Sequence, residues 1–339
     1  MPDTNVIGFT VFHTILAVNA IMAAGVLLRK LKVLRQEADQ SLFDITLTLL
    51  MPCLILDNLL FAEAFSDLHF IVVPPLIGFV GTVIGTAIAA AAAFLLPRFI
   101  TGITNAKQRG TFSACTGMLN YGFVPIPLVV MLFPRNGQII STLFLQNLGA
   151  EFSIWTITLL AISGKFHRDS WKRAVNPPTI TITVAITAQL LQRLLPAGTG
   201  ETFTAAFPFF RQTLHLLGAA AIPMTVLMVG STIADQIDWK RMKTELPRGL
   251  RVAVLSSVIR LGVLPVIYLL AAILLPVPQP VKYIIVIHGA MSSAIFPIVL
   301  SRFYGGDSST AVFAVIGNTL VGIIATPMWI GLGVKLVGS

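Results

Sequence analysis

Charge is what this sequence has least of. Only 11% of its 339 residues are Asp, Glu, Lys or Arg, against about 25% in soluble proteins. That scarcity excludes an ordinary water-exposed domain of this length. Cysteine is nearly missing. Cys53 and Cys115 both fall inside apolar runs, which argues against a disulfide or metal framework and for two buried small side chains. No His-Glu-x-x-His or Cys-x-x-Cys spacing occurs, so no metal is expected. No Walker loop or Gly-x-Gly-x-x-Gly occurs either, so no nucleotide acts directly and no cofactor is expected. "YGGD" at Tyr304–Asp307 falls short of the Gly-x-Gly-Asp of intramembrane aspartyl proteases. Tyr304 stands where the first Gly belongs, and the stretch lies in a loop. An enzyme is therefore a poor reading. Strand-period alternation is absent, which removes a β-barrel. The first apolar run is too long for a signal-peptide core and has no basic residue before it, so no cleavable signal is expected.

What is present is apolar length. Hydrophobic residues make up 55% of the chain, and its mean hydropathy is +0.87. A spanning helix needs about 20 largely apolar residues. Ten such segments are expected, at 6–28, 41–61, 70–96, 110–133, 138–162, 175–195, 208–233, 250–275, 282–302 and 309–335. The fold class is thus an all-α integral membrane protein. The formal charge of +9 does not signal nucleic acid, because the basic residues lie mostly in short loops. The odd-numbered loops hold seventeen of them: four in "RKLKVLRQEADQ", three in "PRFITGITNAKQR", four in "SGKFHRDSWKR", five between Asp235 and Arg251, and Arg302. This bias places the odd loops in the cytoplasm and both termini outside.

The fourth segment contains an anomaly. "GMLNYGFVPIPL" is apolar enough for a bilayer, yet Asn120, Gly122, Pro125 and Pro127 all weaken a helix. Broken backbone at that depth is tolerated only where protein shields it or it lines a cavity. The ninth segment, "GAMSSAIFPI", matches the fourth. Gly117 and Gly289 are 172 apart, as are Pro125 and Pro297, and Ile126 and Ile298. Pro52 and Pro223 are 171 apart, and Ser141 and Ser309 168 apart. Five spans is an odd number, so a second copy enters the membrane upside down. The expectation is a 5+5 inverted repeat, residues 1–169 and 170–339, with broken helices 4 and 9 crossing near the midplane. Paired interruptions of this kind are the best sequence pointer to a transporter's central site. The half-helix N-termini there suit an anion.

These stretches, together with "NPPTI" from Asn176 and "IPMTVLMVGSTIAD" from Ile222, resemble the auxin efflux carrier family over essentially the whole chain. The broken-helix architecture is shared with bile-acid:sodium symporters. The resemblance implies a homodimer. It also implies a scaffold of helices 1, 2, 6 and 7 (6–61 and 175–233) and a transport domain of helices 3–5 and 8–10 (70–162 and 250–335), moving as an elevator. The short fifth loop resembles the compact bacterial form, in a bacterial cytoplasmic (inner) membrane. Plant members place an Asn in the helix 4 break and a Gln in helix 5 near the substrate carboxylate. Asn120 and Gln146 occupy similar places.

The expected substrate-binding residues are Asn120, Tyr121, Gln146, Ser292 and Ser293, with Pro125, Pro127 and Pro297 shaping the crossing. A second rank holds the rare polar groups at membrane depth: Asn147, Glu151, Arg260 and Asn318. Glu151 is read either as a proton-coupling carboxylate or as an ion-pair partner of Arg260. Arg260 is read either as that partner or as a counter-charge for substrate. Asp57, Glu63 and Asp67 read as interface residues. The expected function is secondary transport of a small organic anion, a carboxylate, with H+ or Na+ coupling left open. The alternatives are a sodium-coupled symporter of bile-acid type and a membrane sensor on a transporter fold. Expected partners are the anion, the lipid bilayer and a second copy of the chain.

Overall fold

The computed structural model describes residues 4–60, 68–122, 124–133, 136–166, 169–194, 208–236 and 239–338. Glu63, Asp67 and the expected span ends at 61 and 195 lie outside the described residues. Every named element is helical. In chain order they are α1 (Thr4–Lys30), α2 (Asp39–Ile45), α3 (Met51–Leu59), α4 (Leu68–Leu95), α5 (Arg98–Thr101), α6 (Ala106–Gly117), α7 (Pro125–Leu132) and α8 (Gly137–Ser153). There follow α9 (Leu159–Ser163), α10 (Pro177–Leu194), α11 (Pro208–Gln236), α12 (Trp239–Val258), α13 (Leu264–Leu274), α14 (Gln279–Ala290), α15 (Phe296–Phe303) and α16 (Ser308–Gly338).

Six described helical stretches are long and apolar enough to cross a bilayer: Gly8–Lys30, Gln36–Leu59, Ile71–Leu95, Pro208–Asp235, Lys243–Leu274 and Ser308–Gly338. The others are shorter or interrupted. α6 and α7 together fill the fourth expected span, and α14 and α15 the ninth, each divided by a few extended residues. The outward faces carry Val72, Leu76 and Val80 of α4 and Ile180 and Val184 of α10, all exposed. In hydrocarbon such faces cost nothing, because lipid tails are as apolar as the side chains.

Without a hydrophobic force between helices, close backbone approach holds the bundle together. α1 and α11 meet through Gly25, where a Cβ would lie 2.0 Å from the Leu227 carbonyl oxygen, and Gly230, where it would lie 2.0 Å from that of Met22. α4 and α8 meet in the same way. A Cβ on Gly78 would sit 2.1 Å from the Gln146 oxygen, and one on Gly149 would sit 1.7 Å from the Pro75 oxygen. Several ion pairs tie the helices to one another and to the loops. Arg29 pairs with Asp39 at 2.5 Å and Asp235 at 3.2 Å, tying α1 to α2 and α11. Arg248 pairs with Glu245 and Asp307 and donates to the Gly102 carbonyl, tying α12 to two loops. Asp57 Oδ2 lies 2.9 Å from His215 Nδ1, joining α3 to α11.

A π-turn at Ile259–Val263 separates α12 from α13. Pro265 explains part of it. Proline has no N–H to give the carbonyl four residues back, and that carbonyl, on Leu261, is instead taken by Trp329 Nε1 at 2.7 Å. π-turns inside helices gather at functional sites, and this one carries Arg260.

Candidate functional site: the crossing of two broken helices

α6 ends at Gly117 because Met118 turns extended (φ −76°, ψ 116°). α14 ends at Ala290 because Met291 does the same (φ −69°, ψ 144°). The two extended stretches run antiparallel and bridge at Leu119 and Ser293. Asn120 N–H donates to the Ser292 carbonyl at 2.9 Å, and Ala294 N–H donates to the Met118 carbonyl at 3.0 Å. Backbone freed by one break is therefore satisfied by the other, as the low dielectric demands. The glycines before each break let α4 and α13 close on the crossing. A Cβ on Gly117 would lie 2.4 Å from Thr86 Cα and N, and one on Gly289 would lie 2.4 Å from Tyr268 Cβ.

The prolines do not sit inside the breaks. Pro125 is the first residue of α7 and Pro297 the second of α15. A missing N–H costs nothing in a first turn, and the fixed φ suits a helix start. Pro125, Pro127 and Pro297 thus mark where each helix resumes. There is a chemical consequence. Pro125 and Pro127 have no N–H, and Ile126 N–H is bound to the Gly122 carbonyl. The start of α7 therefore offers an anion fewer backbone donors than its dipole alone suggests.

Asn120, Ser292 and Ser293 line one cavity of about 20 Å³, closed from other sides by Asn19 and Met22 of α1 and by Thr319, Gly322 and Thr326 of α16. Its volume is room for one water-sized group. Asn19, Met22 and Thr319 also border an adjoining crevice of about 220 Å³, otherwise apolar and flanked by Val26, Ile233 and Ile298. Asn318 stands behind the cavity. Its Nδ2 donates to Ser293 Oγ at 2.6 Å and to Ser256 Oγ at 2.8 Å. Ser256 in turn shares a 2.7 Å hydrogen bond with Thr116. All four side chains are buried. Ser293 Oγ accepts from Asn318, so its own proton is free to donate.

Tyr121 and Gln146 are turned elsewhere. Tyr121 donates to Glu151 Oε2 at 2.5 Å. Gln146 Nε2 lies 2.9 Å from His288 Nδ1, both fully buried. Asn147 is buried too, and its Oδ1 has no donor among the described residues.

Glu151 and Arg260 do not pair. Glu151 accepts from Tyr121, from Trp155 Nε1 at 3.0 Å and from Asn176 Nδ2 at 2.8 Å. Two of these donors share Oε1 and the third meets Oε2, so both carboxyl oxygens are engaged. Arg260 donates through Nε to the Met291 carbonyl at 2.8 Å, and through Nη2 to the carbonyls of His288 at 3.0 Å and Gly289 at 3.3 Å. The sequence reading missed Asn19, Thr319 and Thr326. The only signal for Asn19 was a lone amide in an apolar run.

The family profile of the membrane transport proteins matches this chain in two consecutive segments, residues 10–169 and 166–330. The chain belongs to that family. This membrane transporter is also similar to a protein of Methanothermobacter thermautotrophicus named only as an uncharacterized transporter. The two are 23% identical over 318 residues, covering 94% of this chain and 96% of the relative. The auxin efflux carrier resemblance and the family match agree, and both place the protein among transporters rather than enzymes.

Proposed function

We propose that this transporter moves a small organic anion, a carboxylate, through the crossing of the two breaks. The observation that carries the reading is the cavity lined by Asn120, Ser292 and Ser293 between the Leu119–Ser293 bridge and α1. Two hydroxyls and an amide supply neutral donors, the kind that hold a carboxylate without trapping it. Ser293 is polarised for donation by Asn318 at 2.6 Å, since chains of hydrogen bonds strengthen one another. Because the start of α7 has few free N–H groups, side chains carry more of the recognition here than helix-end dipoles do.

The reading extends to the whole chain. Ten spans in a 5+5 inverted repeat accord with a family profile that matches twice. In an elevator movement, helices 1, 2, 6 and 7 stay fixed while helices 3–5 and 8–10 move with the crossing. The cavity's mixed lining, α1 on one side and the breaks and α16 on the other, supports this: sliding one body past the other widens it. A volume of about 20 Å³ admits no carboxylate until that happens. The setting is a homodimer in the cytoplasmic membrane with both termini outside.

The test is the thermal stability of the purified protein against a panel of small carboxylates, at mildly acidic and neutral pH, with and without sodium. A bound ligand raises the unfolding midpoint by mass action. The expected result is a carboxylate shift that disappears in Asn120→Ala while the variant keeps its own cooperative unfolding. A shift with amines or neutral solutes alone would sink the anion reading. A carboxylate shift that requires sodium would favour the symporter alternative. Binding without flux in liposomes would favour a sensor.

A further inference from the structure

The second break differs from the first in one respect: a buried cation is built against it. Arg260 is fully buried, and its three hydrogen bonds all go to main-chain carbonyls, those of His288, Gly289 and Met291. The carbonyl between them, on Ala290, is taken by Thr326 Oγ1 at 2.9 Å, and the next, on Ser292, by Asn120 N–H. The guanidinium carbon lies 5.9 Å from the centre of the Tyr268 ring, within reach of a cation–π contact. The residue 172 positions before Arg260 is Ile88, so the matching place in the first half holds no charge.

The physical demand is clear. The last carbonyls of a helix have no intrahelical partner, and they carry the negative end of its dipole. In a broken membrane helix, such carbonyls can coordinate a monovalent cation. A buried charge of this kind is tolerated only when paired or hydrogen-bonded. Here Nε and Nη2 answer the carbonyls, Nη1 has no hydrogen-bond partner among the described residues, and the π-turn at Ile259–Val263 sets Arg260 beneath the break.

We propose that Arg260 is a tethered cation of the second break. Its guanidinium fills the place where the carbonyl-rich end of α14 would otherwise hold a free monovalent cation. It is a positioning residue: it fixes the geometry of Met291–Ser293 and thereby the cavity wall. Removing the side chain should turn the site into one that binds a small planar or spherical cation from solution. The inference rests on the carbonyl geometry alone, not on the anion reading, and its readout involves no carboxylate.

The experiment compares wild type, Arg260→Ala, Arg260→Met and Arg260→Lys in the purified full-length chain. Unfolding midpoints are followed against sodium, potassium, guanidinium and methylguanidinium at low concentration, with choline as a bulky control at matched ionic strength. Arg260→Ala should have a lowered midpoint that rises saturably with at least one small cation and not with choline. Wild type should show no such rise. Arg260→Met, which fills the space without charge, should be lowered and unrescued. If Arg260→Ala does not fold, the decision passes to the other pair, where Arg260→Lys should keep more of the wild-type midpoint than Arg260→Met. An Arg260→Ala midpoint indifferent to every small cation, the same rise in wild type, or an Arg260→Lys no better than Arg260→Met would each overturn the proposal.

Discussion

Asn120 gives its main-chain N–H to the carbonyl of Ser292, 2.9 Å away and on the other broken helix. This bond and its companion from Ala294 to Met118 make the two interruptions one structure. Neither break is tolerable alone at membrane depth, because each would leave backbone groups unpaired in hydrocarbon.

The glycines at the crossing are therefore unequal. Gly117→Ala would drive a Cβ to 2.4 Å from the Thr86 backbone, whereas a Cβ on Gly122 meets nothing within 4 Å. Overpacking against rigid backbone costs about 1–3 kcal/mol or more. Thermal unfolding should show Gly117→Ala clearly destabilised and Gly122→Ala close to wild type. Equal midpoints would contradict the packing described.

Asn318 holds Ser256 and Ser293 together from behind the cavity. Asn318→Leu would take the donor from both hydroxyls; Ser256 keeps its bond with Thr116, and Ser293 loses its own at about 1–3 kcal/mol. Carboxylate stabilisation should fall along with the midpoint, because Ser293 loses its orientation. Retention of the full ligand shift in a destabilised Asn318→Leu would show that Ser293 needs no such support.

Glu151 accepts three hydrogen bonds, from Tyr121, Trp155 and Asn176. In Glu151→Gln the amide oxygen can keep Trp155 and Asn176, and the Tyr121 hydroxyl must turn from donor to acceptor of the amide N–H. The expected cost, about 1 kcal/mol, is the difference between hydrogen bonds to a carboxyl and weaker ones to a neutral amide. Were Glu151→Gln as stable as wild type and still transporting, the cluster would be incidental to the fold.

Asp307 sets an acid limit at the basic-loop face. Burial alone pushes its carboxyl up. The hydrogen bonds from the Thr310 side chain and N–H, together with the Arg248 guanidinium, outweigh burial and hold it below the usual carboxylate range. A depressed folded value means the contribution is complete above the unfolded value of about 3.9 and lost as pH falls through the folded one. Asp307→Asn should flatten the fall in stability below about pH 4 and lower stability at neutral pH. An unchanged acid slope would show that Asp307 contributes nothing to it.

The apolar runs, the loop charges and the twin Gly–Pro interruptions determine, by themselves, a helical membrane protein broken at two matching places. These are local properties of composition and backbone chemistry, and a bilayer tests them segment by segment. Even so, Pro125 and Pro297 were legible as breakers, while their role in opening α7 and α15 follows from where the chain regains its hydrogen bonds. Only the tertiary structure decided partners. Glu151 and Arg260 are the rare opposite charges at depth, and sequence alone leaves open whether they meet each other or face the transport pathway. Helix packing instead turned Glu151 to Tyr121, Trp155 and Asn176, and Arg260 to the carbonyls of His288, Gly289 and Met291. It also brought Asn19 and Thr319 to the cavity. The reason is that a side chain's partner depends on which faces of distant helices pack together, and carbonyls freed by a break are acceptors that no residue type in the sequence announces.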